Sequence, residues 1–263
     1  MTVYAAVFRR SFRRYSTYRA ATFAGIFTNT IFGFIMAYTY IALWKVRPHL
    51  GGYDKSQAVT YVFIGQALLI TCAIFGGGFS EDFAERVRNG DIAIDLYRPV
   101  DLQGWWLASD LGRAAFHLTG RGLPPLLIGA VVFRLPLPTN PLTWLAFAVS
   151  IFLGVVVSFG LRYLVALAGF WLLDARGLEQ LAGLLAMFMS GMVLPLTVFP
   201  SWLGSLARNL PWSSLLQVPV DVLLGKADVL ASLRFEALWA IVVLLLGRAA
   251  TAVATRRVVV QGG

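Results

Sequence analysis

Six apolar stretches separated by short polar segments run along the sequence, at roughly 20–44, 57–79, 105–133, 142–172, 178–198 and 232–253. A bilayer core about 30 Å thick takes about 20 apolar residues in a helix that rises 1.5 Å per residue. Each stretch meets that length. The pattern therefore predicts an all-α integral membrane protein with six transmembrane helices. The third stretch contains Gly120, Gly122, Pro124 and Pro125, so it is expected to kink or break. The fifth follows Asp174-Ala175-Arg176 directly, which leaves only a tight turn after the fourth.

The segments between these stretches have patterns of their own. Residues 1–19 read as an interfacial amphipathic helix. Tyr4, Phe8, Phe12 and Tyr15 recur at helical spacing, beside a face made of Arg9, Arg10, Arg13 and Arg14. Such aromatics sink into the acyl boundary while arginines hold lipid phosphate, although a basic segment that merely sets topology would look alike. Within 80–104, Ser80 sits at an N-cap position, with Glu81 and Asp82 in the first turn. Arg86 and Arg88 fall in the last turn, and Gly90 ends it. Phe79, Phe83 and Val87 make an apolar stripe, while Glu81, Asp82, Glu85 and Arg88 make the opposite, charged face. A solvated loop helix would share this design. In 199–231, Pro200 starts a helix whose Trp202, Leu203, Leu206 and Leu210 line one face before Pro211 stops it. A second segment runs from Ser213 to Leu224 and ends at Gly225. Both are too short to cross a bilayer, so they are expected to re-enter the outer leaflet. Trp202, Leu206 and Leu210 are expected to pack inward as a lid.

Composition excludes the main competing classes. Hydrophobic residues make up 58% and charged residues 13% of the 263 residues, and the mean hydropathy is +0.73. A soluble domain carries about 25% charged residues; this chain has too few to cover its apolar surface in water. The single Cys72 excludes a disulfide scaffold. The net charge of +9 reads as topology and not as nucleic-acid binding. With a cytoplasmic N-terminus, that side holds eleven basic residues (Arg9, Arg10, Arg13, Arg14, Arg19, Arg86, Arg88, Arg98, Arg176, Arg256 and Arg257) and the opposite side seven. Basic residues favour the cytoplasm, so both termini, 80–104 included, are placed there and 199–231 outside. The expected organisation is one transmembrane domain over 1–263, with no removable leader: Arg9-Arg10-Ser11-Phe12 superficially resembles a twin-arginine signal, but its apolar stretch is too long.

The chemistry of nucleotide binding is missing. Gly225-Lys226 is followed by Ala227, with Val220 where a P-loop needs glycine. No Gly-x-Ser-x-Gly elbow occurs, and His49, His117 and Cys72 are too scattered for a metal cluster. The sequence thus assigns no catalytic residue, no metal and no cofactor to this chain. Ionisable residues within spans are expensive and raise a functional question. Asp110 and Arg113, spaced i,i+3, can pair on one face, His117 continues that face, and Arg162 lies deep in the fourth span. They could form a structural polar seam, a substrate path joined by Asn29 and Tyr38, or an enzyme site using Asp110 and His117.

The run Arg88-Asn89-Gly90-Asp91-Ile92 through Leu96-Tyr97-Arg98-Pro99 resembles the cytoplasmic element of short ABC-2-type transporter permeases. The outer-loop residues Ser190-Gly191, Pro195-Leu196, Phe199-Pro200, Trp202-Leu203, Leu210-Pro211-Trp212, Pro219 and Gly225 are similar to that family too. The subgroup most resembled contains permeases of daunorubicin-type and viologen-type multidrug exporters. This resemblance implies a bacterial cell-membrane exporter subunit that moves a hydrophobic or cationic drug-like compound. It implies a coupling helix at Ser80–Asn89, with Glu81, Asp82, Glu85, Arg86, Arg88, Gly90, Arg98 and Pro99 near the ATPase. It also implies an extracellular gate at Pro200, Trp202, Leu206, Leu210 and Pro211. The implied partners are two copies of an ATPase subunit, which would bind ATP and magnesium, a second permease, identical or homologous, and membrane lipids. The rival readings are a membrane enzyme and a non-transporting scaffold or immunity protein.

Overall fold

The computed structural model describes residues 2–172 and 175–257; Asp174 lies outside them. The described residues are 82% helical, with no strand. In chain order the α-helices are α1 (Val3–Thr17), α2 (Arg19–Val46), α3 (Lys55–Thr71), α4 (Phe79–Asn89), α5 (Ile92–Tyr97), α6 (Leu102–His117), α7 (Leu123–Phe133), α8 (Pro141–Leu167), α9 (Arg176–Met189), α10 (Ser201–Asn209), α11 (Gln217–Leu223) and α12 (Val229–Ala254). A π turn at Leu118–Gly122 joins α6 to α7.

Among the described residues, four helical stretches are long and apolar enough to cross a membrane: Arg19–Val46, Leu102–Phe133, Pro141–Phe170 and Val229–Ala254. The second and fifth expected spans come out shorter than their hydropathy suggested. α3 has 17 residues and stops at Thr71, before the expected end at 79. Beyond it lie Gly76, Gly77 and Gly78, with φ of 87°, 84° and 78°, and a helix cannot continue through left-handed residues. α9 has 14 residues and yields at Ser190-Gly191, where Gly191 again takes a positive φ. Apolar run length overcounts here because loops packed inside a bundle are as apolar as helices.

α3 is the hub. Its Asp54 caps the start with a reciprocal Gln57 contact, a capping box. Twelve of its residues are buried, Ala58–Leu68 and Thr71. Surrounded by α2, α6 and α7, it needs no lipid-facing side. The third stretch, expected to kink or break, runs on as one 32-residue helical stretch, Leu102–Phe133, with a π turn at Leu118–Gly122 inside it. The π turn marks a change of neighbours: α6 packs along α1, whereas α7 packs along α2 and α3.

α6 ties several elements together at one end of the bundle. Gln103 donates to the Leu244 carbonyl of α12, Trp106 lies beside Phe79 and Phe83 of α4, Asp110 meets Arg162 of α8, and Arg113 meets the last turn of α3. One face thus touches four elements within eleven residues. This end also carries α1, α4 and α5. The opposite end carries α10, α11 and the turns between α2 and α3.

α1 corrects the sequence reading in one respect. Its aromatic face lies on α6 as much as on the boundary. Phe12 meets Phe116 edge-on with centroids 5.7 Å apart, and Tyr15 meets His117 at 5.1 Å. Val7 and Ser11 are its buried residues, and Phe8 is half-buried. Gly112 permits the approach, since a Cβ there would strike the Phe8 carbonyl. Arg9, Arg10, Arg13 and Arg14 remain exposed, on the face the sequence assigned them.

Candidate functional site

α4 is the helix that the spacing of Phe79, Phe83 and Val87 predicts, with one correction. Its N-cap is Gly78, not Ser80. Ser80 lies inside the first turn and is buried, because the glycine run turns the chain two residues earlier. Gly90, at φ 79°, ends the helix as expected. Phe79 and Phe83 are fully packed, in a small core with Trp106, Phe159, Tyr163 and Ile92. Phe79 and Phe159 have ring centroids 4.8 Å apart. Val87 is half-buried. Glu81, Glu85 and Arg88 are exposed.

Two of the predicted coupling residues turn out to brace α4. Arg86 donates to the Asp95 carboxylate at 2.8 Å, and Arg98 reaches the same carboxylate at 3.1 Å. Asp95 is buried on α5, so this pair of contacts folds α5 against α4. Arg98 also lies over the Trp105 ring at 5.2 Å, and Pro99 is exposed beyond it. Asp82 is bound by Arg14 of α1. That hydrogen bond raises the Arg14 pKa, against the opposing effect of its partial burial. α1 is thereby tied to α4 at one exposed point.

The buried charges converge on the root of α4. Asp110 is 1% exposed and accepts from Arg113 Nε at 2.7 Å and from Arg162 Nη2 at 2.6 Å. Two guanidiniums against one carboxylate leave one positive charge over. Arg113 directs its other donors at the Ile70 and Thr71 carbonyls, at 2.6 and 3.0 Å. These belong to the last turn of α3, where carbonyls lack helical partners and carry partial negative charge. Arg162 donates to the Gly77 carbonyl at 3.1 Å and lies over the Phe79 ring at 5.1 Å. A Cβ on Gly78 would come within 2.9 Å of Arg113 Nε. One ionic cluster therefore fixes α3, α6, α8 and the glycine turn that launches α4.

His117 does not join this cluster. It stacks edge-on with Tyr15 and Phe116, and its Nδ1 has no hydrogen-bond partner. Asp110, saturated by two arginines and out of contact with His117, is not placed to act as a base. Asn29 is buried and donates to the Gln66 carbonyl, fastening α2 to α3. It lines a groove of about 420 Å³ with Tyr40, Met187 and Met192. Tyr38 faces outward and meets the Phe133 ring.

The other end of the bundle corrects the lid. α10 covers Ser201–Asn209, with Pro200 at its N-cap and buried Pro211 opening a 3₁₀ turn. Its inward residues are Gly204 and Ala207. Trp202 is 70% and Leu206 49% exposed, and Leu210 is half-buried. Gly204 fits because a Cβ would press on the Leu196 carbonyl at 2.8 Å; small residues let the helix sit close, and the large ones point away.

Sequence reasoning missed the polar network beneath this end. Gln217 Nε2 donates to Tyr53 Oη at 2.7 Å and to Asp221 at 2.8 Å, and Tyr53 donates to Asp221. Gln217 Oε1 accepts from the Leu196 amide at 2.8 Å, and Tyr61 donates to the Gly191 carbonyl at 2.9 Å. α11 is thus pinned to α3 and to the turn after α9. Burial raises the Asp221 carboxyl above its ordinary pKa. The signal lay in Gln217 and Asp221, four apart on one helical face, but nothing in sequence named their partners.

The profile of ABC-2 family transporter proteins matches residues 23–262. No curated protein and no solved structure matches the chain. A multi-pass helical chain without a nucleotide site, presenting a braced helix at one end and matching this profile over nearly its whole length, belongs to the ABC-2 family of transporter membrane proteins.

Proposed function

We propose that this chain is the permease half of an ATP-driven exporter in the bacterial cell membrane, with α4 as the coupling helix. Members of its family normally pair with an ABC ATPase. The observation that carries the reading is the mounting of α4. Its exposed face carries Glu81, Glu85 and Arg88, while its root is built into the Asp110–Arg113–Arg162 cluster, which also grips α3 and α8. A force on the charged face would pass as rigid-body motion into two membrane helices. In this reading both termini and 80–104 are cytoplasmic, six passes include the short α3 and α9, and α10 and α11 form the extracellular gate. Two permeases, identical or homologous, and two ATPase subunits complete the exporter. The expected cargo is hydrophobic or cationic and drug-like, as in daunorubicin-type and viologen-type systems.

The test reverses charges on α4. Charge pairs desolvated in an interface cost about 2–5 kcal/mol when one partner is lost, while solvated ones cost little. Glu85→Arg is expected to weaken capture of the co-expressed ATPase and to uncouple hydrolysis from transport in vesicles, with the helical fold retained. Unchanged assembly and transport in both Glu85→Arg and Arg88→Glu would make α4 a solvated loop helix. A scaffold or immunity protein would leave hydrolysis by any ATPase unstimulated.

A further inference from the structure

Arg121 sits in the π turn between α6 and α7, inside the apolar stretch Leu102–Phe133. Unlike Arg113 and Arg162, it makes no hydrogen bond and no ion pair with the described residues. Its Nε is sealed off, while the residue as a whole remains partly exposed, so the two Nη groups open to the outside. A charge inside an apolar stretch is expensive and points to a site whose partner has to be named.

The surroundings supply no anion. The π turn packs against α2, α3, α6 and α7. Asp110 is the only carboxylate on these helices, and Arg113 and Arg162 already hold it. α1 touches α6 just before the turn, where Tyr15 meets His117; it carries exposed arginines and no acidic residue. Of the α4 carboxylates, Asp82 is bound to Arg14, and Glu81 and Glu85 line a cleft against α9.

The fold makes room for the guanidinium. It lies against the buried Gly25 of α2, where a Cβ would overlap Nε, Cζ and Nη2. Phe23 and Phe27 on α2, and Leu123 and Leu127 on α7, are exposed on either side of it in the chain. A cationic slot between apolar ridges fits a phospholipid, with its phosphate on the guanidinium fork and its acyl chains along the two helices. Depth agrees with this. Phe12 and Tyr15 of α1 meet Phe116 and His117, about one turn before Arg121. With the α1 arginines at headgroup level, Arg121 lies within an arginine's reach of the phosphates.

We propose that Arg121 and Gly25 form a slot for the phosphodiester of an anionic glycerophospholipid, in the leaflet on the α1 side, with its acyl chains between α2 and α7. The lipid neutralises a charge that the chain itself leaves unpaired. The slot requires neither the exporter reading nor a particular orientation in the membrane.

The purified full chain, delipidated in a nonionic detergent, is the material for the test. Dioleoyl phosphatidylglycerol, dioleoyl phosphatidylcholine or inorganic phosphate is added back; native mass spectrometry reads the lipid retained and heating reads stability. Phosphatidylglycerol is expected to bind saturably, as a single lipid per chain, and to raise the melting temperature. Arg121→Gln is expected to weaken that binding about tenfold, through loss of a charge-assisted contact, and to abolish the stabilisation. Gly25→Ala, whose added methyl displaces only the end of a flexible side chain, is expected to act alike, and Arg121→Lys to recover part of the binding. Because Arg121→Gln removes an unpaired charge, it is expected to melt no lower than the wild type before lipid is added. Equal binding by the wild type, Arg121→Gln and Gly25→Ala overturns the slot. A loss of the same size in Arg13→Gln, on the exposed face of α1, assigns the binding to surface charge in general and overturns it too. Equal retention of phosphatidylcholine overturns the preference for a negative headgroup. Stabilisation by inorganic phosphate in place of lipid overturns the lipid as occupant. Loss of ATPase capture in the Glu85→Arg test bears on none of these results.

Discussion

Asp110 joins α6 to α8 directly, and through its two arginines to α3 and the glycine turn before α4. Each of its oxygens faces a guanidinium, and each guanidinium continues to a backbone carbonyl of another element. Buried ion pairs contribute modestly as pairs, but removing one partner strands the other charge, at about 3–5 kcal/mol. Asp110→Ala is therefore expected to lower thermal stability by that order, measured by tryptophan fluorescence or dispersity on heating in detergent. Arg162→Met keeps the Asp110–Arg113 pair intact and should cost less. Equal losses in both would mean that Arg162 matters as much as Asp110, and Asp110 would not be the central member. The i,i+3 pairing of Asp110 with Arg113 was legible from spacing, because it is local to one helix. The entry of Arg162, 52 residues away, depended on how α8 crosses α6. Gly78 shows a second kind of hidden constraint: its positive φ and the nearby Arg113 Nε leave no room for a side chain, yet in sequence it is one glycine in a run of three.

Among elements, α4 and α10 make a useful contrast. Both are short and amphipathic, and spacing located both within a residue or two. For α4 the apolar stripe is the buried one, since Phe79 and Phe83 meet Trp106, Phe159 and Tyr163. For α10 the sequence chose the wrong face. Trp202 and Leu206 stand exposed while Ala207 is fully buried, because the close approach to Leu196 and Phe199 admits only small residues. Ala207→Asp is accordingly expected to destabilise the fold by about 2 kcal/mol or more, through burial of an unpaired charge. Leu206→Asp should fold normally, as read by yield and elution profile; the reverse order would restore the inward lid. α11 adds a pH-dependent element. Burial raises the Asp221 pKa against the pull of hydrogen bonds from Tyr53 and Gln217 and the charges of Arg208 and Lys226. A carboxyl raised in the folded state binds its proton more tightly than the unfolded chain does. Stability is then greatest below the ordinary carboxylate pKa and falls as pH rises toward the folded value. Asp221→Asn should flatten that fall in thermal melts taken from acid to neutral pH. A slope unchanged by the substitution would assign it to another group.

At the scale of the whole molecule, membrane orientation is the property that most needs a direct measurement. The excess of arginine at the α1 and α4 end predicts that this end is cytoplasmic. Lys55 and Asp91 are both exposed and lie at opposite ends of the bundle. With the native Cys72 buried, Lys55→Cys should react with an impermeant maleimide in intact cells and Asp91→Cys should not, until the cells are opened. The reverse pattern inverts the topology. What the sequence alone determined is whatever depends on short range: the all-helical membrane class from run length and scarcity of charge, an irregularity in the third span near its glycines and prolines, α4 and its Gly90 stop, and the absence of a P-loop. Hydropathy could not separate a membrane-crossing helix from apolar loop packed inside a bundle, so α3 and α9 ended earlier than expected. Only the tertiary structure decided which face of α10 turns inward, that Arg86 and Arg98 brace α5 through Asp95, and that Arg162 and the glycine turn meet at Asp110. Those outcomes rest on contacts between residues tens of positions apart, and helical periodicity carries no information about which element will lie across the next.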